Sequence, residues 1–199
     1  DKGWMFSKVL AITVTGFLTW FLVTAKILPF TAATCIGVSV VCAVGCGVLY
    51  HFQGKNGIDC FPSGKVNLIY GEEILFFIFF LMWTYFAGFR SQAYGTEKFM
   101  DYGFMEAMMR STTLPARDLW YSEGTINYYY GGQYFAVFLT KLTNTQVAQT
   151  YNLMRTLVAG FCFSVPFALV RQMVLDSWKR EKPALLGGAL AGAGVSLAG

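Results

Sequence analysis

Charge is what this sequence is shortest of. Only 13% of its 199 residues are Asp, Glu, Lys or Arg, while 55% are hydrophobic and 18% aromatic; a soluble domain carries roughly 25% charged residues, so a water-soluble fold is the class excluded first. Cysteine is sparse and scattered. Of Cys35, Cys42, Cys46, Cys60 and Cys162, four lie in or at the ends of apolar runs, where a thiol behaves as a small hydrophobe, which argues against a disulfide framework or a zinc site. The one histidine, His51, follows Cys42 and Cys46, which share a helix face, but no further ligand accompanies the trio, and packing is the reading. No nucleic-acid-binding module pattern is visible, and the net charge of +4 sits in short loops beside apolar runs, where it speaks to membrane orientation. A cleavable leader pattern is also missing: the chain opens on Asp1 and stops inside a Gly/Ala run, so it is expected to be a piece of a longer protein.

What the sequence has instead is apolar runs long enough to cross a hydrocarbon layer of about 30 Å. They cover residues 9–28, 32–50, 74–89 and 147–174, with a further one beginning at 184. Lys26 is near enough to the end of the first to snorkel, and Pro29 ends or kinks it. Gly37, Ala43, Gly45 and Gly47 in the second suggest close helix contact. Glu72 and Glu73 read as caps at the start of the third, where the helix dipole favours carboxylates. Arg171, Lys179, Arg180 and Lys182 form the densest basic cluster, which places their loop on the cytoplasmic side. Counting spans back puts Lys2, Lys8, Lys55 and Lys65 on that side too, and residues 96–146 on the opposite, extracytoplasmic one. The expected organisation is three membrane helices and a cytoplasmic loop in residues 1–95, an extracytoplasmic loop in 96–146, and a membrane helix, basic loop and start of a further span in 147–199. The fold class is therefore all-α: a polytopic membrane helix bundle whose extracytoplasmic loop carries an interfacial helix.

That loop holds the chemistry-bearing residues. Residues 96–110 read as a helix with Thr96 as N-cap and Pro115 bounding its end. Glu97 and Asp101 stand at i and i+4 and project from one face, and Lys98, about 100° round the helix, can reach the same site. Glu106 and Arg110 share that spacing on the far side and read as an ordinary stabilising pair. Phe99, Met100, Phe104, Met105, Met108 and Met109 wrap the helix in apolar surface suited to a bilayer interface or a bundle. Acids held there are a general base with a helper, a cation site, or the wet stripe of an interfacial helix. Arg117, Asp118 and Glu123 follow in a loop, then Asn127 and three tyrosines, Tyr128, Tyr129 and Tyr130. Three consecutive tyrosines cannot share one face, so some hydroxyls meet polar partners while other rings pack. An aromatic belt explains the tyrosines but not the acids, Arg and Asn among them. Residues 134–142, with Lys141, read as a short membrane-proximal helix.

At these residues the chain resembles the multi-span YYY membrane proteins of the DUF2298 type, which are grouped with the GT-C membrane glycosyltransferases. The matching pieces are TEKFMD at 96–101, MMRSTTLP at 108–115, Asp118 with Trp120, INYYYGG at 126–132, LTKLT at 139–143, and Tyr151 with Asn152; upstream, DKGW at 1–4, Trp20 and Leu28-Pro29-Phe30 also match. Phe99 stands where the family usually has Pro, Ala116, Arg117 and Leu119 replace a proline-rich stretch, and Gly131 replaces a larger residue. The resemblance implies a GT-C-like fold in the plasma membrane of a prokaryote, and a sugar moved from a polyprenyl-phosphate donor on the extracytoplasmic face. Asp101 would then be the general base, with Glu97 orienting it or sharing a divalent cation, Mg or Mn. Lys98, Arg110 or Arg117 would neutralise the departing lipid phosphate, and Asp118, Asn127 and Tyr128 to Tyr130 would line the sugar or acceptor groove.

The rival is a transporter or flippase that moves a lipid-linked or polar solute without transfer chemistry. Acids buried mid-span would favour it, and the expected spans lack them. A third reading is a structural scaffold with an interfacial helix.

Overall fold

In lipid a backbone must satisfy its own polar groups, and a continuous apolar run does so by winding into a helix. The computed structural model describes residues 3–54, 66–95 and 97–197, so the readings placed on Lys2, Lys55, Cys60, Lys65 and Thr96 fall outside the described residues. Among the described residues seven helices follow in chain order: α1 (Trp4–Thr24), α2 (Ala32–Gly54), α3 (Val66–Gly88), α4 (Lys98–Arg110), α5 (Gly131–Thr143), α6 (Val147–Trp178) and α7 (Glu181–Leu197). α1, α2, α3 and α6 are long and apolar enough to cross a membrane. Among the described residues there is no strand, only an isolated antiparallel bridge between Arg117 and Thr125. The chain is an all-helical, polytopic membrane protein. Its many exposed large apolar side chains, such as Val41, Val44, Phe77, Leu81 and Val158, are the lipid-facing surface such a protein needs.

Helix boundaries differ from the sequence expectation in two places that matter. α1 ends at Thr24, and Lys26 lies beyond it in the left-handed region at φ 61°, so it belongs to the turn and not to the span. α3 begins at Val66, eight residues before the expected start, and has no acid in its first turn. Glu72 and Glu73 therefore sit inside the helix and do not cap it. Glu73 is paired there with Lys8 and also accepts the Trp4 indole N–H. Glu72 is 1% exposed. The spans were expected to lack buried acids; Glu72 corrects that expectation, and a buried acid in a span is the feature that would favour the transporter or flippase.

The chain divides into two compact units. One comprises Asp1–Ala11, Ile58–Arg90 and Asn152–Gly199. Here α3 packs on α6 through aromatic rings: Phe76 lies against Phe161 with centroids 4.9 Å apart, and Phe79 stacks on Phe163 at 3.6 Å. The Thr84 hydroxyl donates to Thr156 across the same seam at 3.0 Å. α7 approaches α6 more closely still. A Cβ on Gly188 would stand 2.8 Å from the Phe167 carbonyl oxygen, and one on Gly192 2.8 Å from that of Phe163. This G-x-x-x-G spacing lets two backbones touch where any side chain would hold them apart.

The other unit comprises Ile12–Gly57 and Ser91–Tyr151. Its core is the face of α5 carrying Tyr134, Val137, Phe138 and Lys141. The buried Tyr134 hydroxyl donates to the Gly16 carbonyl at 2.7 Å, and α1 can come that close because position 16 has no side chain: a Cβ would meet the Phe135 ring at 2.4 Å. Phe30, in the α1–α2 turn, packs on Tyr134 and donates its N–H to the Thr112 carbonyl at 2.8 Å. Lys141 donates to the Met109 carbonyl in the last turn of α4 at 2.9 Å, its ammonium 4.7 Å from the Phe30 ring centre. A cation at a helix C-terminus is favoured by the dipole, and burial pushes the Lys141 ammonium below the usual lysine range.

Candidate functional site

Within this second unit, α4 and α5 bring the sequence-selected acids beside the tyrosines. Glu97 is the N-cap residue of α4 without a side-chain cap bond, and Asp101 lies in the first turn with its backbone N–H bonded to the Glu97 carbonyl at 2.9 Å. Asp101 Oδ1 accepts the side-chain amide of Gln133, from the first turn of α5, at 2.6 Å. Glu97 and Asp101 also act on Tyr129. Its phenol is pushed up to about 12, first by its hydrogen bond to Tyr128, then by burial and the Tyr128 charge, and last by the negative charges of Glu97 and Asp101.

The three tyrosines divide as their spacing requires. Tyr128 and Tyr129 lie ring to ring at 4.0 Å. Tyr130 turns the other way, and its hydroxyl accepts the Trp20 indole N–H of α1 at 3.2 Å. Tyr128 and Tyr129 are thus available to a ligand, whereas Tyr130 ties the motif to α1.

A cleft of about 360 Å³ is lined by Met100 and Phe104 of α4 and by Asp118, Trp120, Tyr121, Thr125, Asn127 and Tyr128 of the connecting segment; Glu97 and Asp101 are not in its lining. The segment is held in shape locally. Asp118 Oδ1 accepts the backbone N–H of Trp120 at 2.8 Å and of Tyr121 at 3.0 Å, an Asx turn. Asp118 N–H bonds to the Gly124 carbonyl, and Ile126 N–H to that of Ala116. The result is a wall of aromatic faces carrying an amide, a hydroxyl and a carboxylate, the usual composition of a site for a small polar ligand.

The basic residues are spread wider than their sequence proximity suggested. Lys98 is the first residue of α4, next to Glu97. Arg110 is the last, about 14 Å along the axis from Asp101 at 1.5 Å per residue, and it pairs with Glu106 at 3.7 Å; the structural reading of that pair fits this placement, and Arg110 does not join the acids. Arg117 is exposed, opposite Thr125. As for a divalent cation, no group of three or more His, Cys, Asp or Glu able to hold a metal occurs among the described residues. Glu97 and Asp101 offer two carboxylates, of which Asp101 also takes an N–H from Gln133.

Gln133, Trp120, Tyr121 and Thr125 escaped the sequence reading. Gln133 had one legible signal, its place three residues after Tyr130 at the start of the next helix. Trp120 was noticed as part of a motif and not as a cleft wall.

In comparison with known proteins, residues 14–199 match a family model described as uncharacterized membrane protein, DUF2298. No curated protein and no solved structure matches.

Proposed function

Because the chain belongs to the DUF2298 family of membrane proteins, the one its tyrosine motif resembles, we propose that it works as a GT-C-like glycosyltransferase, moving a sugar from a polyprenyl-phosphate donor to an acceptor hydroxyl on the extracytoplasmic face. The observation that carries this reading is the pairing of an aromatic, amide-bearing cleft with a carboxylate cluster one tyrosine stack away. A cleft of about 360 Å³ falls within the roughly 300–1,000 Å³ of small-molecule sites. Aromatic faces suit the apolar faces of a sugar ring, and Asn127, Thr125 and Asp118 suit its hydroxyls.

In the proposed reaction the acceptor oxygen bonds to the anomeric carbon as the bond from that carbon to the phosphate oxygen breaks. The electron pair leaves with the lipid phosphate, and the acceptor proton passes to Asp101. Gln133 holds the Asp101 carboxylate in place through its amide N–H. Glu97 orients the acceptor, and Lys98 with Arg117 answers the charge that develops on the phosphate.

The test uses the full-length protein in membranes supplied with polyprenyl-phosphate-linked sugar. Asp101→Asn keeps the shape and the Gln133 contact but cannot take the proton, so transfer should fall by about 10²–10⁴, the typical contribution of a general base. Unchanged transfer would remove the base assignment.

A further inference from the structure

The other unit holds a buried charge that this reading does not use. α3 has 23 residues and a length of about 34 Å at 1.5 Å per residue, so Glu72, six residues from its start, lies about 9 Å down the axis. It is 1% exposed, and neither carboxylate oxygen has a hydrogen-bond partner. Glu72 and Phe76 stand at i and i+4 and so share a helix face. Phe76 packs against Phe161 of α6, so this face points into the bundle and not toward lipid.

A buried charge on the neighbouring helix is Arg171 of α6, 5% exposed, which is among the charges that act on Glu72. One guanidinium nitrogen of Arg171 is bonded to Glu181 of α7 at 2.8 Å, while its Nε is buried without a partner. The chain's N-terminal ammonium acts on Glu72 ahead of Arg171, and Glu73, which acts on it after Arg171, is paired with Lys8 of α1. Two orphaned oxygens and an orphaned N–H on oppositely charged groups are thus left unmated, inside a membrane helix bundle where each unmet polar group is costly.

We propose that Glu72 and Arg171 form a proton-binding site within the membrane helices. With Arg171 held by Glu181, Glu72 carries a proton. When that proton leaves to solvent at the α6–α7 turn, where the Glu181 side chain is 63% exposed, the Glu72 carboxylate takes the Arg171 Nε–H, and Glu181 is hydrated. Arg171 stays charged throughout. A proton is favoured over a metal ion because the described residues gather no ligand cluster there. The site resides wholly in one unit and does not depend on the sugar-transfer reading.

The full chain in phosphatidylcholine vesicles is treated with a membrane-permeant carbodiimide, which reacts with protonated carboxyls, and the adduct is mapped by peptide mass spectrometry. Glu72 should be modified at about pH 5 and at least about tenfold less at about pH 9, a range that starts above the ordinary carboxyl value of about 4.3 and spans that of histidine. Glu181→Gln, on an exposed side chain, releases Arg171 to Glu72 and should move the loss of labelling to lower pH; Arg171→Gln should move it higher. Glu72→Gln should abolish the adduct. A Glu72 unlabelled at both pH values, or labelled equally at both and unmoved by Glu181→Gln, would overturn the proposal, as would protection by sodium chloride but not choline chloride at fixed pH.

Discussion

Gly192 offers the sharpest test of how α6 and α7 meet. Gly192→Ala places a methyl 2.8 Å from the Phe163 carbonyl oxygen and 3.0 Å from its ring. A backbone oxygen cannot swing away as a side chain can, so α7 must retreat by about half an ångström to restore ordinary contact, an overpacking that costs about 1–3 kcal/mol. Against this, alanine gains about 1 kcal/mol over glycine in a helix interior. Gly194, two residues on, has nothing within 4 Å of its would-be Cβ, so Gly194→Ala carries the propensity gain alone. The difference between the two variants isolates the close approach and should be about 1–3 kcal/mol. Gly188→Ala should behave like Gly192→Ala, its Cβ also 2.8 Å from a carbonyl oxygen. The double variant should cost less than the sum, because the retreat forced by one methyl makes room for the other. Reversible denaturant unfolding in mixed micelles reads these differences. If Gly192→Ala proves as stable as Gly194→Ala, the backbones do not touch and the reasoning fails.

Two further outcomes concern the other unit. Tyr134→Phe removes the buried donor to the Gly16 carbonyl and should cost about 1 kcal/mol in the same unfolding assay. Burial lowers Lys141 in the fold, so in the window between its folded value and the ordinary lysine value the unfolded chain binds more protons. Stability should therefore rise with pH through that window, and Lys141→Met should flatten the rise; a slope that survives the substitution would show that another group causes it.

Much of the fold could be read from the chain, because membrane spans obey length and hydropathy, and α2 and α6 start where their apolar runs do. α3 was misjudged for a specific reason. Its first turns follow a polar, glycine-bearing stretch and its two adjacent acids resemble a cap, whereas the partners that accommodate Glu73 inside the helix are tertiary: Lys8 and Trp4 answer it from 65 and 69 residues away. Sequence spacing placed Glu97 and Asp101 together because i and i+4 is a local relation. It could not separate Arg110 from them in function, since sharing a helix does not mean sharing an end. The division of the tyrosines followed from backbone geometry, but which of them meets Trp20 depends on where α1 passes. Gln133 stayed hidden because one amide at a helix start has no pattern of its own.

The pairing of Lys8 with Glu73 also bears on the order of events during synthesis. A ribosome delivers α1 to the bilayer before α3, so the ammonium that answers Glu73 is in place before the acid arrives. A helix centre charges about 2.5–3.5 kcal/mol for an inserted ionised residue such as Asp, and α3 brings two acids near one end. The earlier helix thus acts as an intramolecular escort: α3 enters the membrane beside a partner already waiting, and an α3 translated without α1 would have to insert that acid unanswered.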